Sequence, residues 1–142
     1  MLSNTEKAEV FRLGLTVGLF DLPEIVSWAD EVIAVDDKPS NELIEVSMGG
    51  DKNTAGMVEL LRLAAGDQAP GKPLDVLLGL VAERVAAGQL SAGSAGAMIG
   101  TLKSAYDGKH ALLDAASEAS KDEGATQAFL APLAAHAAAW RG

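Results

Sequence analysis

Apolar residues in the first part of the chain recur at the three-to-four spacing of a helix face. Val10, Leu13, Val17 and Phe20 form one such series, and Ser3 or Asn4 precedes it as a cap, which predicts a helix to about Val17. Asp21 caps a second helix, with Glu24 three residues on as its capping-box partner and Pro23 in the first turn, where a missing N–H is tolerated. Its stripe is Leu22, Ile25, Val26, Ala29, Val32 and Ile33, and "DDKP" ends it. A short third helix is predicted near Ser40–Met48, stopping at Gly49-Gly50. A fourth, "TAGMVELLRLAAG", begins at Asn53 or Thr54 and ends at Gly66, expected to be a left-handed cap.

"GDQAPGKP", at the chain's midpoint, reads as a connector between halves. Beyond it Pro73 marks a helix start, and "LDVLLGLVAERVAAG" runs to Gly88. Ser91 caps "SAGSAGAMIGTLKSAYDG", which stops at Gly108. A seventh helix is predicted over Lys109–Lys121, and an eighth over Ala125–Trp140 with a kink or restart at Pro132. At an offset of 70 residues the halves echo one another: "VGLFD" (17–21) against "AGQLS" (87–91), Leu43 against Leu113, and "LLRLAA" (60–65) against "LAPLAA" (130–135). The expected fold is therefore all-α, a compact bundle of seven or eight short helices in one domain, open to division into two pseudo-repeated four-helix halves at 1–70 and 71–142.

Composition agrees with that class and adds a charge asymmetry. Of 26 alanines, the residue with the highest helix propensity, 22 lie from Ala64 onward. Formal charge over the 142 residues is −9. Residues 1–71 carry 13 acidic and 5 basic side chains, a net of −8, whereas residues 72–142 carry 7 and 6, a net of −1. Such a surface disfavours nucleic acid and anionic membrane as partners and suits a basic protein surface. With no cysteine, thiolate metal sites and a cysteine nucleophile are excluded. No basic-then-apolar leader is visible at the N-terminus, and a cytoplasmic setting is expected. "AFLAPLAAHAAAW" comes nearest to a membrane span but is too short and is interrupted by Pro132 and His136.

Several groups bear on chemistry. Trp28 borders the apolar stripe of the second helix, and Asp30 and Glu31 fall on its opposite side. Trp28 reads either as a packed indole or as an aromatic anchor ringed by carboxylates. With Asp36, Asp37, Glu42 and Glu45 these acids form a solvated or partner-facing surface. Calcium-loop spacing is missing, and nothing marks one acid for the apolar pocket that paired-carboxylate catalysis requires. "MGGDKNTAG" lacks the order of a phosphate-binding loop and reads as a turn. His110 and His136 have no second histidine at helical spacing, and "GSAGA" is not a nucleophile elbow. Gly93, Gly96 and Gly100 line a face almost without side chains, either packed inside the domain or forming a homodimer contact.

The stretch "LGLTVGLFDLPEIVSWADEVIAVDDKPSNELIEVSM" resembles small bacterial helical proteins of unknown function. These show a G-L-[apolar]-[DS] turn followed by E-[apolar]-x-x-W-A-D-x-x-I and P-x-x-L-I-x-[apolar]-S. Gly18, Leu19, Asp21, Glu24, Trp28, Ala29, Asp30, Ile33, Pro39, Leu43, Ile44 and Ser47 carry the likeness, over about a third of the chain. It implies a bacterial cytoplasmic helical protein and supplies no activity. Some small acidic proteins of this general kind act as immunity proteins or antitoxins.

The leading expectation is a non-enzymatic acidic protein-binding module, immunity- or antitoxin-like or a regulatory adaptor, needing no cofactor or metal. Its partner-facing residues are Trp28, Asp30, Glu31, Asp36, Asp37, Glu42 and Glu45. Two alternatives stand beside it: a small metal- or ligand-dependent enzyme using the same carboxylates, and a structural homo-oligomer formed through the Gly93/Gly96/Gly100 face.

Overall fold

Side-chain caps set the helix starts. A computed structural model of the chain describes residues 2–66, 71–105 and 110–141. Among them are α1 (Asn4–Val17), α2 (Leu22–Val35), α3 (Asn41–Ser47), α4 (Thr54–Ala65), α5 (Gly71–Ala86), α6 (Ala92–Ala105), α7 (Ala111–Ala119) and α8 (Glu123–Leu130). The eighth helix continues through a 3₁₀ stretch, Ala131–Ala137, into a last α-helical turn, α9 (Ala138–Arg141), and no strand occurs among the described residues. The all-α expectation is correct. The expected stop at Gly108, the start at Lys109 and the middle of the "GDQAPGKP" connector lie outside the described residues.

Ser3 caps α1 in a full capping box with Glu6. Asp21 accepts a hydrogen bond from the Glu24 N–H at 3.0 Å, but the Glu24 carboxylate makes no return bond, so the expected box is half formed. Ser40, Asn53 and Asp122 cap α3, α4 and α8 in the same way, and the Ser91 hydroxyl accepts from the Ser94 N–H at the start of α6. The eighth helix begins two residues before its expected start because Asp122 supplies the cap. Gly66 does have positive φ, +66°, but its ψ of −160° lies outside the left-handed helical basin. Pro132 has no N–H to give the preceding turn, and the chain tightens there to 3₁₀ geometry before resuming as α9.

The chain divides into two compact units, Ser3–Gln68 and Ala69–Gly142, the latter together with Met1–Leu2. In the first, α1 packs against α4, α2 against α3, and α3 against α4. In the second, α5 packs against the 3₁₀ stretch, α6 against α7 and α8, and α7 against α8. Each unit therefore sets a long first helix against its closing segment and pairs its middle helices with each other.

Positions 70 apart play the same parts. Gly18 and Gly88, at φ +84° and +76°, end α1 and α5. The Gly18 and Leu19 N–H groups donate to Leu15 and Gly14 carbonyls at 3.2 and 2.8 Å; those of Gly88 and Gln89 donate to Val85 and Arg84 at 3.1 and 2.9 Å. This is one Schellman motif made twice, at turns that require a left-handed residue. The pairs Ile25/Ala95, Ala29/Ile99, Leu43/Leu113 and Val46/Ala116 are all buried.

Both first helices are buried on most of their faces. α1 buries Ala8, Val10, Phe11, Leu13 and Leu15, and α5 buries Leu74, Val76, Leu77, Leu78, Leu80, Val81 and Ala82. Close approach to neighbouring backbone is tightest on α5. A Cβ at Gly79 would lie 2.7 Å from the Ala137 nitrogen and 2.9 Å from both the Leu133 oxygen and the His136 Cβ. Two of these atoms are backbone, which cannot rotate away.

Gly79→Ala should therefore destabilise the protein by about 2 kcal/mol or more. Gly100→Ala, in a helix and with nothing within 4 Å of the new Cβ, should stabilise it by about 0.5–1 kcal/mol. Urea unfolding midpoints of the two variants check both signs.

Candidate functional site

The candidate site is the acidic surface of α2, the α2–α3 link and α3. Asp30, Glu31, Asp36, Asp37, Glu42 and Glu45 are all exposed. Asp30, late in α2, accepts a hydrogen bond from the Ser47 hydroxyl at the end of α3. That bond ties the two packed helices together at their surface. Asp36 ends α2, its N–H donating to the Val32 carbonyl at 3.0 Å, and its Oδ1 accepts from the Lys38 N–H at 3.0 Å. This Asx-type closure is what turns the chain out of α2. Glu42 sits in the first turn of α3, where the helix dipole favours an anion. Glu45 is three residues on, so the two like charges share one face at a cost of a few tenths of a kcal/mol.

These side chains do not converge. Among the described residues no group of three or more His, Asp or Glu is placed to hold a metal ion. The arrangement is a distributed negative field over two helices, whose chemistry is long-range attraction and hydrogen-bond acceptance.

Trp28 has a packing role. Its ring lies 4.9 Å from that of Phe11, which in turn lies 4.8 Å from Phe20, with interplanar angles of 43° and 60°. These tilted contacts join α2 to α1 and its C-terminal turn. Trp28 is half-buried, and its Nε1 is buried with no hydrogen-bond partner. Trp28, open from the sequence to a packed or an anchoring role, thus packs its ring against Phe11 while remaining half-exposed.

The small-residue face of α6 is partly occupied within its own unit. A Cβ at Gly93 would come 2.6 Å from the Glu123 carboxylate, and one at Gly96 would come 3.3 Å from the Ser120 carbonyl oxygen. Gly100 is open. Two of the three glycines expected as an oligomer contact therefore let α6 approach the α7–α8 corner.

Two features escaped sequence reasoning. Between α3, the α3–α4 turn and α4 lies an open cleft of about 460 Å³, lined by Glu45, Met48, Asp51, Lys52 and Leu60. Met48, 74% exposed, stands at its edge, while the neighbouring Gly49 is buried with its Cβ position 2.9 Å from the Met57 Cε. The signal available in sequence was a methionine placed after the helix stripe and before a glycine pair. His110 is the second feature: its Nδ1 accepts from the Leu113 N–H at 3.1 Å, capping α7, and its Nε2 lies 3.1 Å from Asp75. Histidine is an uncommon cap, and the choice depends on a carboxylate 35 positions earlier.

One acid outside the expected set has a shifted ionisation. Glu59 on α4 is held below the ordinary glutamate range, first by the hydrogen bonds it accepts from Arg62 and then by that guanidinium's charge.

Comparison with protein-family models, curated proteins and solved structures gave no match. No helix among the described residues is long and apolar enough to cross a membrane.

Trp28→Phe keeps a ring against Phe11 and removes the orphaned N–H. It should leave stability within about 1 kcal/mol of the parent, whereas Trp28→Ala should cost about 3 kcal/mol or more. Chemical denaturation followed by circular dichroism distinguishes the two. Arg62→Ala should raise the Glu59 midpoint back towards the ordinary carboxylate value, read from its side-chain carbon shift in an NMR titration.

Proposed function

We propose that the protein is a non-enzymatic binding module whose first unit captures a basic partner protein through the α2–α3 acidic surface. One comparison carries this reading. The caps and buried positions of α2 and α3 recur in α6 and α7, but of the six acids only Asp37 has an acidic counterpart, Asp107. Asp30, Glu31, Glu42 and Glu45 correspond, 70 residues on, to Gly100, Thr101, Leu112 and Ala115. A unit that likewise sets its first helix against its closing segment and pairs its middle helices thus forms with neutral residues at those places. The acids are therefore not a requirement of the fold, and crowding them on one surface raises self-repulsion.

Exposed, unconverged carboxylates suit steering, in which complementary charge raises the association rate and fixes orientation more than it adds affinity. Their exposure leaves them free of the desolvation cost that a buried ion pair would carry. Inhibition of a basic toxin or enzyme, and regulatory docking, are both forms of this chemistry. A cytoplasmic setting belongs to the same proposal.

The test neutralises all six residues as Asp→Asn and Glu→Gln, which keeps acceptors for the Ser47 hydroxyl and the Lys38 N–H. Association with a flexible lysine-rich peptide, followed by stopped-flow fluorescence, should slow by about tenfold at low salt, and the difference should vanish near 1 M salt. The reading fails if the neutralised protein associates as fast as the parent at low salt. Its melting temperature should be equal to the parent's or higher.

A further inference from the structure

We propose that the α3–α4 cleft seats the apolar face of a basic amphipathic helix, with Met48 as the contact that selects it; this rests on the acidic-capture reading above and names its partner. Three features of the cleft fit such a partner. First, its edge is apolar where solvent should favour polarity: Met48 is 74% exposed, beside Leu60. The corresponding residue of the second unit, Glu118, instead pairs with Lys121 at 3.0 Å. Exposing a large apolar side chain here is thus a property of the first unit, not of the four-helix plan.

Second, the rim is charged. Glu45 and Asp51 flank Met48, with Lys52 the one cation among the described residues lining the cleft, and Glu42 lies one turn before Glu45 on α3. Three carboxylates against one ammonium complement an apolar strip bordered by Lys or Arg. Third, the form of the partner is constrained. The first unit offers no strand among its described residues, so a peptide cannot add to a sheet edge, and none of the described residues lining the cleft is an aromatic of the kind that seats a polyproline helix. A helix seated over the α3–α4 turn sets its apolar residues against Met48 and Leu60 and its basic flanks against the acids. A cleft of about 460 Å³ is of the size that accepts a few side chains.

Two labelled peptides of identical lysine–leucine composition serve as probes, one patterned as an amphipathic helix and one scrambled, with binding to the full chain read by fluorescence anisotropy. The variant is Met48→Glu, which introduces the second unit's residue at an exposed site. It makes the rim more negative, so charge alone predicts equal or tighter binding of both peptides. Seating against Met48 predicts about tenfold weaker binding of the amphipathic peptide, with the scrambled one unchanged or tighter. Met48→Ala, which adds no charge, should weaken the amphipathic peptide in the same direction, and circular dichroism melts confirm that both variants fold.

The inference is overturned if the parent binds both peptides alike, or if Met48→Glu holds the amphipathic peptide as tightly as the parent does. It is also overturned if sedimentation shows the parent filling the cleft with a second copy in a manner abolished by Met48→Glu. In each of those cases, weaker binding of both peptides by the six-residue neutralised protein would leave acidic capture standing. If neutralisation changes nothing, the broader reading falls and this one with it.

Discussion

Each unit depends on seating a long, largely buried helix against the segment that closes the unit. α1 meets α4, and α5 meets the 3₁₀ stretch after α8. The long helices bury a row of aliphatic side chains, Val10, Leu13 and Leu15 on α1 and Leu74, Leu77, Leu78 and Val81 on α5, at about 1.5–3 kcal/mol for each fully buried one. The contact is most exacting at Gly79, where the neighbouring backbone leaves no room for even a methyl group. The Schellman turns at Gly18 and Gly88 then reverse the chain so that the middle helices can pair with each other.

Once that seat and its turns are fixed, the exposed positions can vary, and the two units have taken opposite courses. Buried positions match in pairs because both sets answer to the same packing. The exposed faces do not match: α2 and α3 carry carboxylates where α6 and α7 carry Gly, Thr, Leu or Ala. Surface substitutions of this kind change stability little, so they are open to being set by what the surface meets. The functional proposal depends on this freedom: acids tolerated but not required by the fold, and an exposed methionine where the parallel position holds an ion-paired glutamate.

The candidate site was legible only in part. Its acids were readable as a solvated face because α2 is amphipathic and they lie off its stripe. Trp28 was not decidable from spacing, since a residue at the border of a stripe can turn either way. Contact with Phe11, from another helix, decides that its ring packs, and the same contact buries an N–H without a partner. The glycine face of α6 was visible as a surface without side chains. Its occupant was not, because Ser120 and Glu123 come from a corner that only forms when α7 and α8 are in place.

The amino-acid sequence by itself determined the helical class, most helix boundaries and the lopsided charge. Those follow from local chemistry: caps satisfying the first N–H groups, glycines accepting positive φ, proline denying a bond, and the count of ionisable side chains. Tertiary packing alone decided what lies across from each helix. It drew His110 to Asp75 as a cap held from another helix, gave α5 its glycine-tight seat, and left Met48 in solvent beside a cleft. Each of these depends on residues far apart in the chain arriving at one place, and the spacing along a single helix carries no record of its neighbours.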